Sequence, residues 1–201
     1  QEIDYRRMFG PMTKWVAQVD DAERVPEFVA RAFQVSTSGR PGPVVLALPE
    51  DMQPREVEVP DALCHQPVQA APSDIQMAAL RRLLGRAQRP VVIAGGPGWT
   101  EAACDNLKRF VEANYLPVAC AFRSQDVFDN RHPNYIGDVG IGINPKLAQR
   151  IRDADLVLAF GPRLGEMTTS GYTLLTAPVP QQALVHVHAG IEELGRVYQP
   201  S

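Results

Sequence analysis

The chain has 201 residues, 45% of them hydrophobic, and a formal net charge of −3 from 20 basic and 23 acidic residues. This length is enough for one well-packed domain and part of another. The weak negative charge, with no run of Lys or Arg, argues against nucleic acid or an anionic membrane surface as a partner. A small molecule is therefore the expected partner.

Cellular location follows from similar arguments. No apolar run approaches the roughly 18 residues of a transmembrane helix, and the first residues lack the basic and apolar regions of a signal peptide. The three cysteines, an odd number without C-x-x-C spacing, fit reduced thiols better than disulfides or a zinc site. The sequence therefore predicts a cytoplasmic protein that does not span a membrane.

A helix followed by a strand is the first pair of elements that the sequence predicts. The helix, residues 24–38, has apolar side chains at helical spacing: Val25, Phe28, Val29, Ala32 and Phe33. Pro26 is tolerated in its first turn, and Gly39 is placed to end it. The prolines of the segment 37–43 fix φ and withhold N–H donors, so the chain extends into an apolar strand at 44–48.

A proline-rich linker follows this strand. Five prolines and mixed charges between residues 49 and 72 cannot continue a helix and are typical of an extended connection. We place a domain boundary there, dividing the chain into 1–58 and 59–201.

Helices and short apolar strands alternate beyond the linker. Ser73 and Gln76 form a capping-box pattern ahead of the first helix. The predicted helices are 74–87, 100–114 and one that starts at Asn144-Pro145, and the predicted strands are 91–94, 117–121, 156–160 and 184–188. Near-continuous apolar strands indicate a parallel sheet covered on both faces, so residues 73–190 are predicted to form a doubly wound α/β domain.

A glycine-rich turn, Gly95–Gly98, joins a predicted strand to a predicted helix. Glycines allow a phosphate to approach the backbone, and the N–H groups of a helix N-terminus favour an anion. The pattern is not G-x-G-x-x-G, and the next strand ends in Ala121–Arg123 without the acid of a dinucleotide site. A tight turn without a ligand explains the glycines equally well.

Other polar groups at strand ends can meet that turn across the crevice where open sheets bind ligands. These groups lie in the segments 122–123, 161–163 and 186–188. His186 and His188 point to one face of a strand, but no third ligand follows nearby, so the sequence favours no metal site. Gly137-Asp138 only superficially matches a Mg²⁺-diphosphate motif.

Several stretches resemble thiamine-diphosphate (ThDP) enzymes of the acetolactate synthase large-subunit type. They are residues 12–15, 37–51, 90–96, 153–161, 184–188 and 193–196. The resemblance implies the end of a pyrimidine-binding (PYR) domain, with its helix and strand, followed by the central domain. That domain has a Rossmann-like fold related to that of the deoxyhypusine synthase and sirtuin group, and the chain stops before the expected last strand and helix.

The same resemblance implies positions for a nucleotide. In members that hold FAD, the positions that touch the flavin nucleotide correspond to Arg40, Gly95, Gly96, Gly161 and Arg163. This sequence has His188 where the family carries an acid for the adenosine end, and Glu50 where it carries a lysine near the substrate entrance. A neutral His cannot accept two ribose hydrogen bonds as a carboxylate does, so we expect a flavin-free relative.

The resemblance also implies a reaction. The parent enzyme is expected to use ThDP and Mg²⁺ to make or break C–C bonds next to the carbonyl of a 2-oxo acid or aldehyde, as a transferase or lyase. Its cofactor-activating glutamate and Mg²⁺-diphosphate motif are expected outside this chain. We therefore expect no catalytic residue and no metal ligand here, and an inactive structural part of a homodimer or homotetramer.

Two alternatives remain open from the sequence. One is a free-standing FAD- or nucleotide-binding module like those of electron-transfer flavoproteins. The other is a sirtuin-like deacylase, which the absence of paired cysteines for structural zinc disfavours.

The first helix and strand carry a further expectation. They are expected to belong to a sheet whose other strands lie outside this chain. Val44, Leu46, Phe28 and Phe33 should then either pack against the second domain or leave an apolar patch that drives self-association.

Overall fold

A computed structural model describes residues 3–66, 68 and 70–201. The chain forms two compact units, Gln1–Ala70 and Ala71–Ser201. No helix or strand occurs among the described residues between Ala47 and Asp74, as the proline content predicts. The domain boundary at 58/59 lies within this stretch and stays a prediction.

The first unit is built on two parallel strands. Its elements are α1 (Tyr5–Phe9), β1 (Trp15–Gln18), α2 (Val25–Thr37) and β2 (Val44–Ala47). Trp15 pairs with Val44, and the register continues to the pair of Gln18 and Ala47. The expectation that all partners of β2 lie outside the chain is therefore wrong, because β1 supplies one of them. The sequence analysis predicted neither α1 nor β1.

The predicted helix of this unit is confirmed, with bounds one residue shorter at each end. A proline in the first turn starts α2, and Ser38 and Gly39 end it, with Gly39 at a φ of +58°. Only part of its apolar stripe is covered. Phe28 packs beside Val19 and Met52, whereas Phe33 is 57% exposed. Self-association through this exposed face stays a prediction.

The second unit is built on a five-stranded, fully parallel sheet of order β5-β4-β3-β6-β7. The strands are β3 (Pro90–Ala94), β4 (Val118–Cys120), β5 (Tyr135–Asp138), β6 (Leu156–Phe160) and β7 (Ala183–Val187). Four of them lie where the apolar runs predict strands. The sequence analysis did not predict β5, whose Gly137, at φ +120°, and exposed Asp138 interrupt the apolar pattern.

Helices cover both faces of this sheet. They are α3 (Asp74–Arg86), α4 (Glu101–Ala113) and α5 (Pro145–Arg152), and the predicted capping box at Ser73 is confirmed. The apolar side of α5 packs on one face, around Leu147 and Ile151. On the other face, Leu83 of α3 packs in the same cluster as Leu107 of α4. The predicted doubly wound α/β fold is confirmed.

The strand order sets the position of the ligand crevice. The chain leaves β3 for β4 on one side, and later returns to place β6 on the other side of β3. In open α/β sheets, the crevice lies at this reversal, beside the carboxyl ends of the strands. The segments that follow β3 and β6 therefore face each other at the candidate site. Within the described residues, every helix is too short or too polar to cross a bilayer.

Candidate functional site

The turns after β3 and β6 meet backbone to backbone. Gly96 has a φ of +77° and Gly161 a φ of +85°, a region that side chains disfavour. A Cβ on Gly96 would overlap the carbonyl oxygen of Gly161, and a Cβ on Gly161 would overlap that of Gly95. A Cβ on Gly95 would lie 2.5 Å from the Cβ of Ala121. Close packing of the two turns is thus a sufficient reason for Gly96 and Gly161, and close packing against Ala121 is a sufficient reason for Gly95.

The amide groups of these glycines have partners within the fold. Gly95 N–H donates to Phe160 O at 3.1 Å, and Gly161 N–H donates to Val187 O at 2.8 Å. Gly96 N–H donates to Ser124 Oγ at 3.3 Å. These three donors hold the sheet and the two turns together.

The indole of Trp99, which lies just before α4, packs against the turn that follows β3. Trp99 Nε1 donates to the carbonyl of Gly95 at 2.8 Å. The next residue, Thr100, caps α4 by accepting from the N–H of Ala103 at 3.2 Å, and Glu101 follows in the first turn. A carboxylate at this helix N-terminus already interacts favourably with the helix dipole.

A cavity of about 270 Å³ lies beside the carboxyl ends of β6 and β7. Its lining combines charged, aromatic and apolar side chains. The lining residues are Arg163–Thr168, Tyr172, His186, Glu193 and Arg196–Tyr198. Tyr198 is 2% exposed, and its hydroxyl has no hydrogen-bond partner among the described residues.

Three charged side chains form an ion cluster in this cavity. Glu193 Oε1 lies 2.8 Å from Arg163 Nε and 3.1 Å from Arg196 Nη1. The Glu193 side chain is 6% exposed, so its carboxylate is held largely away from water. Buried carboxylates require such paired donors, because an isolated buried charge is strongly unfavourable.

The two histidines are engaged in different ways. His186 Nε2 donates to the carbonyl of Pro162 at 2.9 Å, and burial lowers the pKa of His186 despite this bond. His188 Nδ1 lies 2.9 Å from the backbone N of Gly190 and 3.1 Å from its carbonyl oxygen, which leaves Nε2 as the other ring nitrogen. That Nε2 is buried without a hydrogen-bond partner among the described residues. The described part of the chain brings no group of three metal-ligating side chains together.

The structure brings together part of the predicted nucleotide site. Gly95, Gly96 and Gly161 meet at the crevice, and Arg163 follows in the adjoining cavity. Arg40 belongs to the first unit. Their role in binding a nucleotide stays a prediction.

Sequence reasoning missed several contacts at this crevice. It did not identify the ion pairs of Glu193, nor the hydrogen bonds that Trp99 and Ser124 make to the glycine turn. The spacing of Glu193 and Arg196 was an available signal, since side chains three residues apart face each other in a helical turn. The bond between Gly96 and Ser124 joins residues 28 positions apart, so no local pattern predicts it, whereas the bond between Trp99 and Gly95 spans only four residues.

Comparison with known proteins gives the family. Residues 77–201 match the family model described as the thiamine pyrophosphate enzyme, central domain. Glyoxylate carboligase from Escherichia coli O157:H7 is 30% identical over 207 residues, covering 100% of this chain and 34% of that protein. The acetolactate synthase large subunit of Corynebacterium glutamicum is 27% identical over 207 residues, covering 99% of this chain and 32% of that protein.

A solved structure gives the same result. A thiamine diphosphate-dependent 4-hydroxybenzoylformate decarboxylase from Rhodococcus jostii RHA1 superposes with a TM-score of 0.73 at 25% identity, covering 95% of this chain and 36% of that chain. The chain thus spans about a third of the length of these relatives. The match over 77–201 covers more than half of the chain, and we conclude that it belongs to the thiamine pyrophosphate enzyme family, to whose central domain these residues correspond.

Proposed function

We propose that this chain is the structural middle part of a ThDP-dependent enzyme that makes or breaks a C–C bond next to a carbonyl. The observation that carries this proposal is the match of residues 77–201 to the central domain of the family. Named relatives include a carboligase, an acetolactate synthase and a decarboxylase. The substrate is accordingly a 2-oxo acid or an aldehyde, and the activity that of a transferase or lyase.

The cofactors of the parent enzyme are ThDP and Mg²⁺, whose main motifs we place outside this chain. When bound, ThDP supplies an electron sink that stabilises the carbanion left beside the carbonyl carbon. We assign no catalytic residue and no metal ligand to residues 1–201. Asp138, within the Gly137-Asp138 pair, ends β5 as an exposed side chain.

The contribution of this chain is a rigid scaffold. Buried apolar residues pack on both faces of the parallel sheet, and the turns after β3 and β6 lock against each other. Such a domain can hold the shape of an enzyme and support its assembly. We propose a cytoplasmic homodimer or homotetramer whose partner is a small molecule, with no nucleic acid and no membrane.

We also propose that the parent is a flavin-free member of the family. Arg40, Gly95, Gly96, Gly161 and Arg163 are the positions at which a flavin nucleotide would be touched if one were held. His188, in place of the acid for the adenosine end, and Glu50, in place of a lysine, are the differences that support the absence of flavin.

The test uses the full-length protein with ThDP, Mg²⁺ and a panel of pyruvate, glyoxylate and benzoylformate. We expect ThDP-dependent release of CO₂ or formation of a 2-hydroxy ketone from at least one of them. Mass spectrometry detects the products. Omission of ThDP is the control. Absence of turnover with all three substrates would overturn the proposal, and turnover by the 201-residue chain alone would overturn its scaffold role.

A further inference from the structure

The cavity beside β6 and β7 already contains an anion of its own, the carboxylate of Glu193. Its oxygens lie 2.8 Å from Arg163 Nε and 3.1 and 3.4 Å from Arg196 Nη1. Guanidinium groups bind carboxylates and phosphates with the same planar set of donors. A cofactor diphosphate at this place would therefore compete with Glu193 for both arginines.

The charge of the cavity is balanced. Its charged lining consists of two guanidiniums, Arg163 and Arg196, and two carboxylates, Glu166 and Glu193. His186 adds no charge near neutral pH, because burial lowers its pKa. A diphosphate carries at least two negative charges and needs an excess of positive charge or of free N–H donors. The cavity offers no such excess of charge.

The glycine turns at the strand ends do not make up the difference. A phosphate-binding turn presents unpaired N–H groups to its ligand. The N–H groups of Gly95, Gly96 and Gly161 instead donate to Phe160, Ser124 and Val187, in the order given.

The position expected to bind the adenosine end of a dinucleotide also lacks a carboxylate. The backbone of Gly190 engages His188 Nδ1, at 2.9 Å from its N and 3.1 Å from its carbonyl oxygen, so only one ring nitrogen, Nε2, is left for a ligand. A carboxylate at this position would offer two acceptor oxygens to the two ribose hydroxyls, which a single imidazole nitrogen cannot do. The cavity volume, about 270 Å³, lies below the 300–1,000 Å³ typical of sites for drug-sized ligands, and a dinucleotide is larger still.

We propose that the second unit does not bind a dinucleotide, because the Glu193 carboxylate already acts as the counter-anion of Arg163 and Arg196. Its folding then requires no bound flavin or adenine nucleotide. This inference rests on the flavin-free assignment above, but not on the reaction. Flavin in the purified full-length protein would overturn it and leave the ThDP-dependent activity untouched, while a failed activity assay would not affect it.

The first test measures the thermal midpoint of the full chain with FAD and with ADP. A ligand present at about one hundred times its Kd would raise Tm by about 5–10 °C for a protein of this size. We expect no shift with either compound at about 1 mM, which excludes a Kd near 10 µM or tighter. A saturable rise in Tm with FAD or ADP would overturn the proposal.

The second test removes the counter-anion. In Glu193→Gln, both arginines lose a carboxylate partner, and inorganic phosphate should take its place. For a Kd of about 1 mM, 100 mM phosphate would raise Tm by about 5–10 °C. Phosphate also stabilises proteins non-specifically, so the rise is measured against that of the wild type and of Glu192→Gln, an exposed neighbour with the same charge change.

We expect the phosphate response of Glu193→Gln to exceed that of both controls and to fall in Arg163→Gln/Glu193→Gln. Equal responses in Glu193→Gln and Glu192→Gln would contradict the role of Glu193. If Glu193→Gln does not fold, the FAD and ADP titrations of the wild type still decide the question.

Discussion

The backbone of Gly96 packs directly against the carbonyl group of Gly161, so closely that neither residue has room for a side chain. The two glycines lie at the ends of neighbouring strands, β3 and β6, on the line where the strand order reverses. The contact joins two segments that are 65 positions apart in the sequence. It holds the two turns against each other at the crevice of this domain.

Gly96→Ala should therefore be strongly destabilising. The substitution combines a positive φ with a clash against backbone, which cannot move aside as a flexible side chain can. We expect a loss of at least about 2 kcal/mol in the free energy of unfolding, measured by urea denaturation. Gly98→Ala is the matched control, since Gly98 has a φ of +90° but open space around its Cβ position, and should lose only about 1 kcal/mol. Equal losses would show that the contact with Gly161 adds nothing.

Asp155 should contribute pH-dependent stability. Its carboxylate accepts from the N–H groups of Gln88 and Arg89 at 2.6 and 2.9 Å, which ties the start of β6 to the start of β3. Partial burial raises the pKa of Asp155, but these hydrogen bonds outweigh burial, and the net shift is downward. Because the folded pKa is the lower one, the contribution is full above the unfolded value of about 3.9 and is lost as pH falls through the folded pKa.

Asp155→Ala should cost about 1–2 kcal/mol at pH 7 and progressively less as the pH falls below the unfolded value of about 3.9, by denaturant unfolding at each pH. Asp153→Ala is the control, because this exposed carboxylate accepts from the Gln149 side chain and should matter by about 0.5 kcal/mol or less. A cost for Asp155→Ala that does not change with pH would rule out the charge as its cause.

The three cysteines should differ in reactivity. Cys64 is exposed, whereas burial raises the pKa of Cys104 and raises that of Cys120 to about 11. At pH 8 only about 0.1% of Cys120 would be thiolate, the reactive form. We expect rapid labelling of Cys64 by iodoacetamide, slower labelling of Cys104, and labelling of Cys120 only after unfolding. Peptide mass spectrometry over time gives the order, and early labelling of Cys120 in the folded chain would contradict its burial.

The two phenylalanines of α2 should differ in their effect on stability. Phe28 packs with Val19 and Met52, and its ring stacks on Trp15 at 5.9 Å, whereas Phe33 is 57% exposed. Phe28→Ala should cost about 2–3 kcal/mol, somewhat less than a fully buried phenylalanine, and Phe33→Ala about 0.5 kcal/mol or less. Urea denaturation measures both. A loss for Phe33→Ala that matches the loss for Phe28→Ala would mean that both faces of the helix are buried in the protein.

Local sequence was sufficient for most helices and strands. Caps and stops are short-range hydrogen-bonding devices, so Ser73 with Gln76, Asn144 before Pro145 and Gly39 predicted helix boundaries correctly. Continuous apolar runs predicted four strands of the larger sheet. Strands β1 and β5 were missed because their apolar patterns are broken. Lys14 precedes β1 and Gln18 ends it, and Gly137 lies within β5. Pairing with a neighbouring strand decides the structure of both segments.

The sequence by itself determined the family and the doubly wound class, because both rest on motifs and apolar periodicity that are written along the chain. Tertiary structure alone decided why the glycines are needed and what the arginines bind. Gly96 meets Gly161 and Arg163 meets Glu193 only when parallel strands bring their carboxyl ends to one edge of the sheet. A local pattern shows which donors a turn contains, but only the folded chain shows which of them are already used.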